Sequence, residues 1–73
     1  MRIDYDEDAD AMYIYLREGE FGHNKVIDDR TIMDYDKKGE LLGIELLQVS
    51  KRMPKESLAR VDLRNLKKVP AHP

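Results

Sequence analysis

From Arg2 to Leu47 apolar and polar residues alternate with a period close to two, the spacing of strands that bury one face. Ile3 and Tyr5 share a face and open a short first strand. In "AMYIYL", Ala11 to Leu16, both alternating sets are apolar or aromatic: Met12, Ile14 and Leu16 against Ala11, Tyr13 and Tyr15. A strand of that kind is expected to be covered on both sides, and so to be central. "EGEFGHN", Glu18 to Asn24, holds two glycines and little periodicity, and reads as a loop into a third strand around Lys25 to Asp28.

The strongest local signal is "TIMDYDKKGELLGIELL". Two β-prone runs, Thr31 to Tyr35 and Leu41 to Leu47, flank "DKKGE", where Asp36 starts a type I turn and Gly39 takes the positive-φ position of a bulge. Counting outward from that turn sets Ile32 opposite Ile44, Asp34 opposite Leu42 and Gly43 across from Met33. One face then carries Ile32, Leu42, Ile44 and Leu46 and should meet the core. At Gly43 the missing side chain lets a bulky neighbour approach closely.

Beyond Gln48 the pattern changes. Pro54 suits a first helical position, and Leu58, Val61, Leu66 and Val69 follow at mostly helical spacing, with Leu63 off that face. The expected architecture is therefore α+β: one domain over residues 1–73, with a small twisted antiparallel β-meander of four to five strands in residues 2–48. One C-terminal helix in residues 53–69 packs against a face.

Charge changes the picture. Residues 1–50 carry 13 acidic and 6 basic side chains, a balance of −7, whereas residues 51–73 carry 2 acidic and 7 basic, a balance of +5. The basic segment can attract an acidic partner or pair with the chain's own acidic part. With no cysteine, disulfides and thiolate metal sites are excluded, which fits a reducing cytoplasmic compartment. The acidic start is unlike a secretory signal, and no apolar run approaches the roughly 18 residues that span a bilayer. A soluble, cytoplasmic protein is expected, with no membrane contact.

Five carboxylates crowd into the seven residues from Asp4 to Asp10. Read as an EF-hand loop from Asp4, the first three ligand positions fit as Asp4, Asp6 and Asp8. Ala9 then stands where the glycine is needed and Tyr15 where the bidentate glutamate is needed, so a hairpin turn accounts better for the cluster. No metal site and no cofactor is expected. The two histidines, His23 and His72, and the serines Ser50 and Ser57 form no catalytic pattern, and no glycine-rich phosphate loop is present. The chain is read as no enzyme. Tyr13 and Tyr15 are candidates for a self-association interface, where tyrosine is enriched. Arg60, Arg64, Lys67 and Lys68 are the candidate phosphate contacts of a rival reading, a weak nucleic-acid binder.

"YDEDADAMYIYL" followed by "DYDKKGELLGIELL" resembles a small prokaryotic family, domain of unknown function 2283. Tyr5, Asp6, Ala9, Asp10, Ala11, Tyr13, Ile14 and Leu16 fit the first block of that pattern; Asp34, Asp36, Gly39, Leu41, Gly43, Ile44, Glu45 and Leu47 fit the second. Met12 and Leu42 depart from it slightly, and the segment after Arg52 is not covered. The resemblance brings no established activity, cofactor or catalytic residue. It implies a protein-interaction role, antitoxin-like or as accessory partner of a small basic protein. The expectation is thus a self-associating, dimeric interaction module with a possible protein partner, for which nucleic acid is the disfavoured alternative.

Overall fold

The computed structural model describes residues 1–67. Five strands, β1 (Arg2–Asp6), β2 (Ala11–Tyr15), β3 (Phe21–Asp28), β4 (Thr31–Asp36) and β5 (Leu41–Leu47), form one antiparallel sheet. A 3-10 turn (Val49–Lys51) and one short helix, α1 (Lys55–Leu58), follow it, giving the expected α+β arrangement. Strand order is β1-β2-β5-β4-β3, which puts β2 and β5 side by side near the centre and leaves β1 and β3 as edges. The link from β2 to β3 therefore passes one end of β5 and β4. Arg17 on that link holds the β4–β5 turn, with Nη1 2.6 Å from Glu40 and Nη2 3.3 Å from Asp36.

Cross-strand register sorts the side chains into two faces. The first face carries two rows, Ile3–Ile14–Ile44–Met33–Lys25 and Tyr5–Met12–Leu46–Thr31–Asp28. On the second face lie the rows Asp4–Tyr13–Glu45–Ile32–Val26 and Arg2–Tyr15–Gly43–Asp34–Asn24. Only adjacent strands pack extensively on one another, while α1 sits at a corner, with Leu58 beside Tyr5 and Asp10. The sheet is consequently a single layer. Among the described residues only Leu42 and Val49 are buried hydrophobic side chains, Val49 completely, and the central apolar row of the first face is only half-buried.

Several local expectations need correction. The register of the β4–β5 hairpin is shifted from the simple count. Met33, not Ile32, lies opposite Ile44, and Asp34 lies opposite Gly43, because β5 takes up one extra residue, at Leu42, between the Asp34–Gly43 and Tyr35–Leu41 pairs. Ile32 thereby moves to the second face. Strand β3 begins at Phe21, well before Lys25; its residues are exposed along their whole length, so no burial imprinted a pattern on the sequence.

The expected helix over residues 53–69 is formed only at Lys55–Leu58, with Pro54 as its N-cap. Residues 60–67 carry neither helix nor ladder, and Lys68 and Val69 lie outside the described residues. Past the Ala59 C-cap of α1, Val61 and Asp62 are poor helix formers, and further on Asn65 adopts a left-handed backbone (φ 64°). No neighbouring layer repays helical order there, and short helices depend on such packing. Among the described residues no helix is long and apolar enough to cross a membrane.

Candidate functional site

The second face holds the chain's most constrained polar cluster. Gly43 has no side chain, and the Tyr13 ring lies over it: a Cβ there would come within 2.7 Å of the ring and of the Ile14 carbonyl oxygen. Crossing β5 by this route, the Tyr13 hydroxyl donates a 2.6 Å hydrogen bond to Oδ2 of Asp34 on β4. Burial and that carboxylate push the Tyr13 phenol well above its ordinary value, so it remains a donor. Asp34 is only 5% exposed, and its Oδ1 is buried without a hydrogen-bond partner.

Glu45 on β5 lies close to Asp34. Its carboxyl is raised above the usual glutamate range by burial first and then by the charge of nearby Asp34. Two carboxylates offer each other only acceptors, so the contact becomes favourable when one of them carries a proton. A proton on Glu45 would supply the kind of donor that Asp34 Oδ1 lacks. Tyr13, Asp34 and Glu45 thus form a polar cluster across three strands. The Tyr13–Asp34 bond ties β2 to β4 across β5.

The acidic turn is built as a turn. Asp6 Oδ1 accepts the backbone N–H groups of Asp8 and Ala9, at 3.0 and 3.1 Å. Asp10, with a left-handed backbone, accepts from the Tyr5 hydroxyl, the Ser50 hydroxyl and the Ser50 N–H, at 2.8, 2.7 and 3.0 Å. The Ser50 hydroxyl is the main reason that its carboxyl lies below the usual range. Asp10 therefore fastens the first hairpin to the chain leaving β5. Among the described residues no three acidic or histidine side chains converge as a metal-ligand set.

The Tyr13 and Tyr15 rings meet on the second face at 4.2 Å between centroids, tilted by 49°, and Arg2 lies 4.0 Å over the Tyr15 ring. Tyr13 is half-buried and committed to Asp34, whereas Tyr15 stays exposed. The candidate phosphate contacts do not converge. Arg60 pairs with Asp62 at 3.2 Å, Arg64 and Lys67 are exposed further along the same irregular segment, and Lys68 lies outside the described residues. What sequence reading missed is Glu45 as partner of Asp34. The Asp34-to-Glu45 proximity depends on the β5 irregularity, which no turn residue announces.

The family model described as Protein of unknown function (DUF2283) matches residues 2–50, which is the whole sheet and its last turn. No curated protein and no solved structure matches the chain.

Proposed function

This chain belongs to the DUF2283 family, and we propose that it acts as a non-enzymatic, cytoplasmic interaction module that first associates with a second copy of itself. One observation carries the reading: the first face of the sheet presents Ile3, Ile14, Ile44 and Met33 in one row and Tyr5, Met12 and Leu46 in the next, and among the described residues no second layer packs across them, α1 lying only at the Tyr5 corner. Contiguous apolar surface of this kind marks interaction sites on soluble proteins. Five strands about 4.8 Å apart make a face broad enough for sheet-on-sheet packing, at about 10 Å separation.

The proposal moves the interface from Tyr13 and Tyr15 to the opposite face. Tyr13 is occupied within its own chain, and the second face around it carries Asp4, Asp6, Asp34 and Glu45. In a twofold dimer joined by the first faces, both acidic faces point outward. They suit a basic protein partner, which fits an antitoxin-like or accessory role, because opposite charge speeds encounter and orients it. The same field repels phosphates, and Arg60 is already paired with Asp62, so nucleic-acid binding stays the lesser reading.

The test is mass by light scattering on wild type and two variants. Ile44→Glu, on the first face, should yield folded monomer, whereas Tyr15→Glu, on the second, should leave a dimer. The opposite pattern would return the interface to the tyrosine face.

A further inference from the structure

Strand β1 offers a free edge, and the segment after α1 has a matching pattern. Val61, Leu63 and Leu66 form an apolar set that is 65%, 69% and 51% exposed. Between them alternate Arg60, Asp62 and Arg64. On β1, Arg2 and Asp4 project on the second face and Ile3 on the first. Resting on the self-association reading, we infer that Ala59 to Leu63 of one copy add to the edge of β1 in a second copy as an antiparallel sixth strand.

Register follows from charge. Setting Arg60 across from Asp4 places Asp62 across from Arg2, Val61 across from Ile3 and Ala59 across from Tyr5. Of the antiparallel registers that keep charged rows on one face, a shift by two in either direction sets like charges together: Asp62 on Asp4, or Arg60 on Arg2. Cross-strand pairs of opposite charge stabilise and like pairs destabilise. A parallel alignment would extend through Asn65, whose left-handed backbone interrupts a strand.

Both sequences already show the half-reactions of this exchange. Arg2 pairs with Asp4 at 3.3 Å and Arg60 with Asp62 at 3.2 Å, each within its own segment, so strand addition trades two local exposed pairs for two cross-strand ones. Val61 then lengthens the apolar row Ile3–Ile14–Ile44–Met33 by one strand, widening the face that stacks. The opposite edge is unsuited, because β3 has register breaks between Phe21 and His23 and between Val26 and Asp28, which bend an edge away from partners. A charged edge such as β1 resists foreign strands but accepts one of complementary pattern. In the described chain the segment starts beside Tyr5, where Ala59 and Tyr5 line one groove, yet it makes no ladder with its own β1. A second copy supplies the same segment from outside, and reciprocal exchange of identical elements is a ready route to dimers.

The native chain has no cysteine, so disulfide trapping is clean. Full-length Asp4→Cys protein is mixed with full-length Arg60→Cys protein under mild oxidation, alongside an Asp6→Cys with Arg60→Cys mixture as the off-register control. Cysteine pairs directly across two strands fall within disulfide reach. The expected result is a mixed-chain disulfide forming about tenfold faster in the first mixture than in the control, and Val61→Pro weakening dimerisation about tenfold by removing a ladder bond. A dimer by sedimentation that forms no preferred disulfide and ignores Val61→Pro would overturn the exchange and leave self-association standing. A double Asp4→Cys, Arg60→Cys chain that closes on itself as a monomer would show the segment taking its own edge, which also overturns it. A wild-type chain that stays monomeric would remove the self-association reading beneath both.

Discussion

Position 43 decides the chemistry of its neighbours. With a side chain there, the Tyr13 ring could not lie across β5, and Asp34 would lose the hydroxyl that occupies its Oδ2. Tyr13→Phe keeps the ring and deletes the donor, leaving a buried carboxylate short of a partner. A loss of about 1–3 kcal/mol is expected from urea unfolding, with the slope unchanged. Glu45 makes the complementary prediction. Its folded pKa is raised, so the folded state holds the proton more tightly. Its stabilising contribution is complete below the ordinary glutamate value of about 4.3 and is lost as pH rises through the folded value. Glu45→Gln offers a permanent amide donor to Asp34. Melting curves should show the variant more stable than wild type at neutral pH by about 1 kcal/mol, with the gap closing toward pH 4. A variant less stable than wild type at pH 7 would mean that the amide gives Asp34 no hydrogen bond there.

Turns were readable in the sequence because their residues make their own bonds. Asp36 Oδ1 accepts the N–H groups of Lys38 and Glu40, and Gly39 stands at φ 86°. Asp6 bonds within the first turn in the same manner, so calcium at millimolar concentration should leave the melting temperature unchanged, and Asp8→Asn should not alter that response. Carboxyls of Asp10, Asp28 and Asp36 are all held low, chiefly by the Ser50 hydroxyl, the Arg30 N–H and the Glu40 N–H respectively. Each contributes stability above the ordinary aspartate value of about 3.9, lost as pH falls through its lowered value. Thermal melts should therefore drop in acid.

What escaped sequence reading was whatever depended on distant partners. The extra residue at Leu42 answers to the way β4, β5 and the Arg17 link fit together, and neither strand alone encodes it. Strand β3 is an exposed edge with no apolar period to betray it. Helical spacing after Pro54 was real, yet it also fits the alternation of Val61 and Leu63, and with nothing packed alongside neither period is enforced. Gly43→Ala tests the close approach that sequence did suggest: overpacking against the Ile14 backbone should cost about 1–3 kcal/mol by denaturant titration.

At the scale of the whole molecule, 73 residues arranged as one layer cannot enclose a core of ordinary size. Chains this small rely on a staple, and this one has no cysteine. In the proposed dimer a second copy supplies further burial, through the apolar first face and the exposed apolar residues after α1. The charge division along the chain then acquires a physical sense: the acidic sheet and the basic segment attract one another between copies as well as within one. Sedimentation equilibrium of the wild-type chain, over the widest concentration range that it tolerates and beside Ile44→Glu, tests this most directly. A reversible dimer for wild type and a folded monomer for the variant is the predicted result; wild type sedimenting as a folded monomer throughout would contradict it.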